Sequence, residues 1–296
     1  MTHATPFTSS LGGIAATVAS GATAALRSTP EADALTDRSR RIWSAGDYDR
    51  ISAGFRHEAE EFVARLALSP RQIVLDVAAG SGNLTIPAAR TKAYVTGIDL
   101  VPSLLVAAAA WAKREGLSVA LDEGNAEALP YADGQFDVVM SMFGVMFAAR
   151  PERVVAELAR VTRRGGQVAL ANWTRTGFIG RMLAMHAARV APPAGVPSPL
   201  MWADDAALRE RFDERTWRLT TTVRTLTFRY PSTPAGTAEL FRGAYGPTVK
   251  TFDALDEDQR SSFAAELTAH WTAHHRTGGA ATEVDSEYLE VIAVRR

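Results

Sequence analysis

Two carboxylates and the residues between them, nearly bare of side chains, are where this chain can do chemistry. Residues 73–100 read IVLDVAAGSGNLTIPAARTKAYVTGIDL. Asp76 ends the apolar run Ile73–Leu75, the small residues Ala78, Ala79, Gly80, Ser81 and Gly82 follow, and Asp99 closes a second run, Tyr94–Ile98. Ala78, Gly80 and Gly82 leave room for a ligand to lie against the backbone, and a carboxylate at Asp99 can accept two hydrogen bonds from the hydroxyls of a ribose. Positioning these groups takes a strand, a glycine turn, a helix carrying Leu84, Ile86, Ala88 and Ala89, and a second strand. That unit holds a nucleoside-bearing cofactor at the carboxyl ends of parallel strands.

The spacing selects among such cofactors. A dinucleotide fingerprint needs G-x-G-x-x-G, and aligned on Gly80 and Gly82 its third glycine falls on Thr85. The pattern present, acid-x-small-x-Gly-x-Gly, resembles motif I of the class I S-adenosylmethionine-dependent methyltransferases, with Asp99 as the acidic end of their second strand. Ala78 stands where that family usually has a glycine. GNAEALPYADGQFDVVMS (Gly124–Ser141) is similar to the family's segment after the third strand, with Asn125 in place of the commoner aspartate and Ala126 next to it. Trp43–Tyr48 resembles its segment before the core. The resemblance covers roughly residues 40 to 175 by motif, and it implies S-adenosylmethionine as cofactor. Carried over residue by residue, it assigns Tyr48, Asp76, Ala78, Gly80, Gly82, Asp99, Leu100, Asn125, Ala126 and Ser141 to cofactor binding, with the glycine turn against the methionine portion, Asp99 on the ribose, Asn125 and Ala126 at the adenine, and Tyr48 reaching over the cofactor.

The rest of the chain fits one α/β domain, Rossmann-like, with a seven-stranded, mostly parallel sheet, helices on both faces and an antiparallel late strand. Residues 1–40 are expected to form a tail or loose helix and residues 41–296 the domain. Helical patterning runs through Arg38–Leu68 and Leu104–Arg114, the latter ended by Gly116, and again through Pro151–Val161, where apolar residues stand at 154, 155, 158 and 161. Strands are expected at Ser118–Leu121, at Phe136–Ser141, after a Gly-Gly turn within Arg163–Trp173, and at Thr216–Tyr230 and Glu283–Val294. Helices at roughly 234–244 and 256–276 are separated by YGPTVKTF. The family commonly places lid helices after its fifth strand, here about residues 174–215. Asp137 reads as structural, at the start of its strand.

Methyl transfer from a sulfonium already has its leaving group, so the protein chiefly aligns the acceptor and excludes water. A base can still help an acidic acceptor lose its proton. The candidates are His57, His186, Tyr48 and Tyr245, and His186 is preferred as the catalytic residue for its place in the expected lid. Phe143, Trp173, Phe178, Met182 and Tyr245 are expected to line the acceptor site, with Met185 nearby. Few charges and many aromatic residues in these segments point to a largely apolar or aromatic small molecule, methylated at oxygen, nitrogen or carbon, in secondary metabolism. The quinone-ring C-methyltransferases, whose motifs are also similar, are the alternative, and a cofactor-binding protein without methyl transfer is the alternative of another class. Glu266, His270 and His274 share a helix face, but magnesium favours oxygen ligands and zinc a more enclosed set, so no metal is expected.

Composition narrows the remaining classes. A net charge of −1 over 296 residues, with no basic stripe, argues against a nucleic-acid substrate. The absence of cysteine excludes disulfides, thiol nucleophiles and thiolate zinc sites. No apolar run has the length of a membrane span, and the first 26 residues, without Lys or Arg, make a poor signal peptide. A cytoplasmic monomer or homodimer is expected.

Overall fold

Strand β1 (Ile73–Val77) lies at the middle of a seven-stranded sheet whose order is β3-β2-β1-β4-β5-β7-β6. The computed structural model describes residues 29–276, 278 and 280–296; of the tail or loose helix expected over residues 1–40, residues 1–28 lie outside the described residues and residues 30–40 belong to the first helix. Ahead of β1 come α1 (Pro30–Trp43), α2 (Tyr48–Ser52) and α3 (Arg56–Arg65), the last two joined by a short 3₁₀ turn, Ala53–Phe55. Then follow α4 (Thr85–Arg90), β2 (Tyr94–Asp99), α5 (Pro102–Glu115), β3 (Ala120–Glu123), β4 (Phe136–Met142), α6 (Pro151–Val161) and β5 (Thr162–Trp173). The chain finishes with α7 (Phe178–Arg189), α8 (Asp205–Arg211), β6 (Trp217–Tyr230), α9 (Pro234–Ala244), α10 (Gly246–Asp253), α11 (Glu257–His274) and β7 (Thr282–Arg295).

The first five strands are mutually parallel, and β7 runs antiparallel to both β5 and β6. Val74, Leu75, Val139 and Leu170, on the central strands, are fully buried, as a sheet covered on both faces requires. Because β2 and β4 flank β1 on opposite sides, the strand order reverses there, and the crevice outside the carboxyl ends opens at that point.

Several boundaries differ from the sequence expectation. The stretch 38–68 is broken at Ser44–Asp47, where Gly46 presses against the end of α9: a Cβ there would stand 2.1 Å from the Ala244 carbonyl oxygen. YGPTVKTF is not a separator but most of α10, with Pro247 in the first turn, where its missing N–H costs nothing. Strand β3 starts two residues late, because Gly116 takes the left-handed conformation (φ 67°) and Leu117 N–H closes on the Ala112 carbonyl before the strand begins. Strand β5 already pairs at Thr162, and its register then jumps from Phe136–Thr162 to Val138–Gln167, so the Gly-Gly turn is a bulge within the strand. Asp137 accepts from Ile73 N–H at 2.7 Å and pairs with Arg163, tying three strands together away from the crevice.

Candidate active site

Both acids stand at the crevice edge. Asp99, 8% exposed, accepts Gly80 N–H and Val101 N–H, each at 2.8 Å, one on each carboxylate oxygen. A carboxylate offers about four lone-pair directions, so two remain for a ligand. Asp76 is more deeply buried and accepts the Thr85 hydroxyl at 2.6 Å. Burial pushes its carboxyl up to about 7, the Thr85 hydrogen bond opposing and the Asp99 charge adding to the rise.

The turn between them is bent as the small residues allow. Ala78, Gly80 and Gly82 all have positive φ, at 57°, 55° and 98°. Gly80 faces the Tyr48 ring across the crevice, with 3.8 Å from that ring to the point a Cβ would occupy. Gly82, expected at the ligand, instead faces Ala108 and Ile86: a Cβ there would stand 3.2 Å from each, so its bareness lets α5 pack on the turn. Phe143 also has positive φ, 56°, which is costly for a bulky side chain, and it stacks on Trp173 with ring centres 3.4 Å apart.

A cleft of about 830 Å³, part of it open to solvent, runs past these residues. Tyr48, Ala78, Gly80, Asp99, Leu100, Asn125, Ala126 and Phe143 line it, from the expected set. Ser141 does not: it is fully buried, and its hydroxyl accepts Val145 N–H at 3.2 Å, shaping the loop behind the cleft. Asp76 lines a smaller cavity continuous in its walls with the first, sharing Tyr48, Ala78, Gly80 and Met142.

The roof comes from a segment that the sequence reading leaves outside the site. Leu35, Thr36, Ser39 and Trp43, one face of α1, close over the cleft. Arg40 fastens that helix by donating to the Leu100 carbonyl at 3.2 Å and pairing with Glu123 at 3.1 Å. Asn125 donates to the Thr36 hydroxyl at 3.0 Å while its own oxygen accepts Glu127 N–H at 2.9 Å. The spacing of those four residues is a helix face, which is legible in the sequence; which surface it covers is not.

A third, much smaller space, about 280 Å³ with the open solvent at its mouth included, is walled by Tyr48, Ile51, Phe55, Phe147, Trp173, Ile179, Phe228, Phe241 and Tyr245. Tyr48 lines all three cavities. Of the residues expected at the acceptor, Trp173 and Tyr245 are here and Phe143 is in the neighbouring cleft. Phe178 instead stacks on His270 with ring centres 4.2 Å apart, and Met182 is fully buried. His186, the preferred base, lines none of the three cavities. It is 7% exposed, its Nε2 lies 2.9 Å from the Thr248 hydroxyl, and burial pushes its pKa down to about 4, so it is a neutral packing residue. Helix α7 packs on β7, α10 and α11, which turns these side chains inward.

A crevice at the strand reversal, with an acid at the second strand's end and an open turn beside it, defines a nucleoside-binding enzyme of the Rossmann-like class. The family profile described as "Methyltransferase domain" matches residues 75–170. An uncharacterized protein of Mycobacterium tuberculosis is 38% identical over 81% of this chain and 89% of its own length. The ubiquinone/menaquinone biosynthesis C-methyltransferase UbiE of Bdellovibrio bacteriovorus is 30% identical over 51% of this chain and 68% of its own. Among solved structures, a putative methyltransferase from Bacillus halodurans shares the fold, with a TM-score of 0.55, 18% identity, and coverage of 81% of this chain and 98% of that one. The chain belongs to the class I S-adenosylmethionine-dependent methyltransferases, and S-adenosylmethionine is its methyl donor. No helix among the described residues is long and apolar enough to cross a membrane.

Proposed function

We propose that the protein methylates a largely apolar or aromatic small molecule in secondary metabolism, at an oxygen, nitrogen or carbon atom. The carrying observation is the uncharged wall beside Tyr48: every side chain lining the small space there is aliphatic or aromatic, and that space shares Tyr48 and Phe147 with the cofactor cleft. The residues around the cleft fit the donor. Asp99 has free lone pairs for the ribose diol, Leu100, Ala126 and the α1 face offer an apolar slot for adenine, and the bare turn at Ala78 and Gly80 leaves space for the methionine chain. Bound there, S-adenosylmethionine supplies an activated methyl group with a neutral thioether as leaving group. The protein's own part is to seal the cleft with α1, exclude water and hold the acceptor's lone pair in line with the methyl carbon.

A ring-carbon acceptor of quinone type is a second reading, favoured by the likeness to the quinone C-methyltransferase. Release of S-adenosylhomocysteine across a panel of phenols, hydroquinones, carboxylic acids and amines tests both. Turnover with small aromatic compounds is the expected result; turnover only with protein or nucleic acid would overturn the proposal. The reading is of a cytoplasmic enzyme, monomeric or homodimeric.

A further inference from the structure

Asn125 lines the cofactor cleft, yet both polar atoms of its amide are turned to the protein. The oxygen accepts Glu127 N–H at 2.9 Å. A backbone N–H can only donate, so this bond fixes which amide atom is the oxygen and leaves the nitrogen facing the Thr36 hydroxyl at 3.0 Å, 89 residues away in the chain. The Thr36 hydroxyl has one proton and gives it to the Ala32 carbonyl at 3.0 Å, so toward Asn125 it offers lone pairs alone. The polarity therefore runs one way, from Glu127 N–H through the amide to α1. The mount of this bond is rigid: Glu127, 7% exposed, accepts Arg150 N–H at 2.9 Å and Arg150 Nε at 2.6 Å on separate carboxylate oxygens. The carboxyl end of α1 is fixed by close backbone packing on the start of α10. A Cβ at Gly246 would stand 2.1 Å from the Ile42 carbonyl oxygen, and just beyond the helix Asp47 N–H donates to the Ala244 carbonyl at 2.9 Å.

We propose that Asn125 is a positioning residue, a latch that holds α1 over the bound cofactor through Thr36, and not the group that reads the adenine amino group. The inference rests on the cofactor cleft alone, whatever the acceptor. Thr36 belongs to the roof of the cleft and Asn125 to its wall, so the bond between them closes one onto the other. With the amide oxygen held by Glu127 N–H and the nitrogen by Thr36, the side chain is oriented for the helix before any ligand enters. Arg40 adds a second tie through the Leu100 carbonyl and Glu123, but its guanidinium and the Glu123 carboxylate are both about half exposed, where an ion pair holds weakly. One neutral hydrogen bond at a partly buried site changes a rate by about two- to tenfold. That is enough to retain a ligand and little enough for a roof that has to open for cofactor exchange.

The test measures stopped-flow release and calorimetric affinity on the full chain with two ligands, S-adenosylhomocysteine and S-inosylhomocysteine, whose base carries an oxygen in place of the amino group. Thr36→Val keeps the β-branched shape and helix propensity but offers no acceptor. Thr36→Val and Asn125→Ala should each speed release of both ligands by about two- to tenfold. Thr36→Ser, which keeps the hydroxyl, should release at the parent rate, and the double variant Thr36→Val/Asn125→Ala no faster than Asn125→Ala alone. The ratio of the two affinities should be the same in the parent and in Asn125→Ala. A ratio that falls toward one in Asn125→Ala while Thr36→Val leaves release unchanged would make Asn125 the reader of the base and overturn the proposal; additive effects of the two substitutions would overturn it as well. Hydrogen exchange of the ligand-free protein supplies a readout that needs no cofactor: α1 amides should exchange faster in Thr36→Val and Asn125→Ala and at the parent rate in Thr36→Ser, with the strands of the sheet unchanged. Unaltered α1 exchange in Thr36→Val and Asn125→Ala would sink the latch. Failure of the parent to bind S-adenosylhomocysteine, with α1 exchange still set by the pair, would strike the cofactor assignment and leave the latch standing.

Discussion

Asp99 serves two purposes with one carboxylate. It pins the turn through Gly80 and Val101 N–H and keeps lone pairs for the ribose. Asp99→Ala should therefore weaken S-adenosylhomocysteine binding by about 1.5–3 kcal/mol, the range for a hydrogen bond to a charged group, as read by calorimetry. A lowered melting temperature should accompany it, since two backbone donors lose their partner; unchanged affinity would remove Asp99 from the ligand. Asp76 makes a prediction in pH. Its folded carboxyl titrates at about 7, whereas the unfolded chain releases that proton near the ordinary value of about 4. Unfolding thus gains from ionisation as pH rises through that window, so this residue's contribution lowers stability between about pH 4 and 7 and then levels off. Asp76→Asn keeps an acceptor for Thr85 and carries no charge. Urea denaturation should show the variant gaining on the parent as pH rises through the window; parallel curves would refute the raised pKa.

At the scale of elements, α1 is the part whose position matters most to the ligand. Its N-terminus is built locally: Thr29 caps it by accepting Ala32 N–H, Pro30 opens it, and Arg40 and Arg41 lie in the last turn. Its docking on the cleft is not local and depends on Arg40 and the Thr36–Asn125 bond. Arg40→Ala should cost less than about 1 kcal/mol of stability, because the ion pair is partly exposed on both sides. Stopped-flow measurement should nevertheless show S-adenosylhomocysteine leaving several-fold faster; an unchanged off-rate would mean that α1 is held by its packing on α10 instead. The strand–turn–helix–strand unit over residues 73–99 was legible because its apolar runs, acids and small residues are contiguous. Helix α10 was not, because Gly246 and Pro247 read as loop, although Pro in a first turn starts a helix as readily as it ends one.

The whole molecule closes through charge as well as packing. Glu290 of β7, 6% exposed, lies 2.7 Å from Arg65 on α3 and 2.8 Å from Arg224 on β6, joining the late strands to the early helices. Glu290→Ala should cost about 1–3 kcal/mol in urea denaturation, the range for losing hydrogen bonds to a charged group, because the two arginines left behind keep about a third of their side chains exposed, with S-adenosylhomocysteine affinity of the folded protein preserved. A loss below about 0.5 kcal/mol would show that the pair adds nothing to the closure of the late strands on the early helices.

What the amino-acid order determined by itself was whatever depends on neighbours in the chain: the glycine turn, the acid at each strand end, the alternation of strand and helix, and from these the sheet and the cofactor. Only the tertiary structure decided which side chains share a cavity. His186 and Met182 carry the residue types of an acceptor site yet point into the core, because the face that α7 buries is set by β7, α10 and α11. Ile51, Phe147, Phe228 and Phe241, none of which the sequence singles out as site residues, meet around one space from four separate parts of the chain. Local patterns record a backbone conformation and an apolar face; the enclosure of a pocket comes from contacts between residues far apart in sequence, and no local spacing carries them.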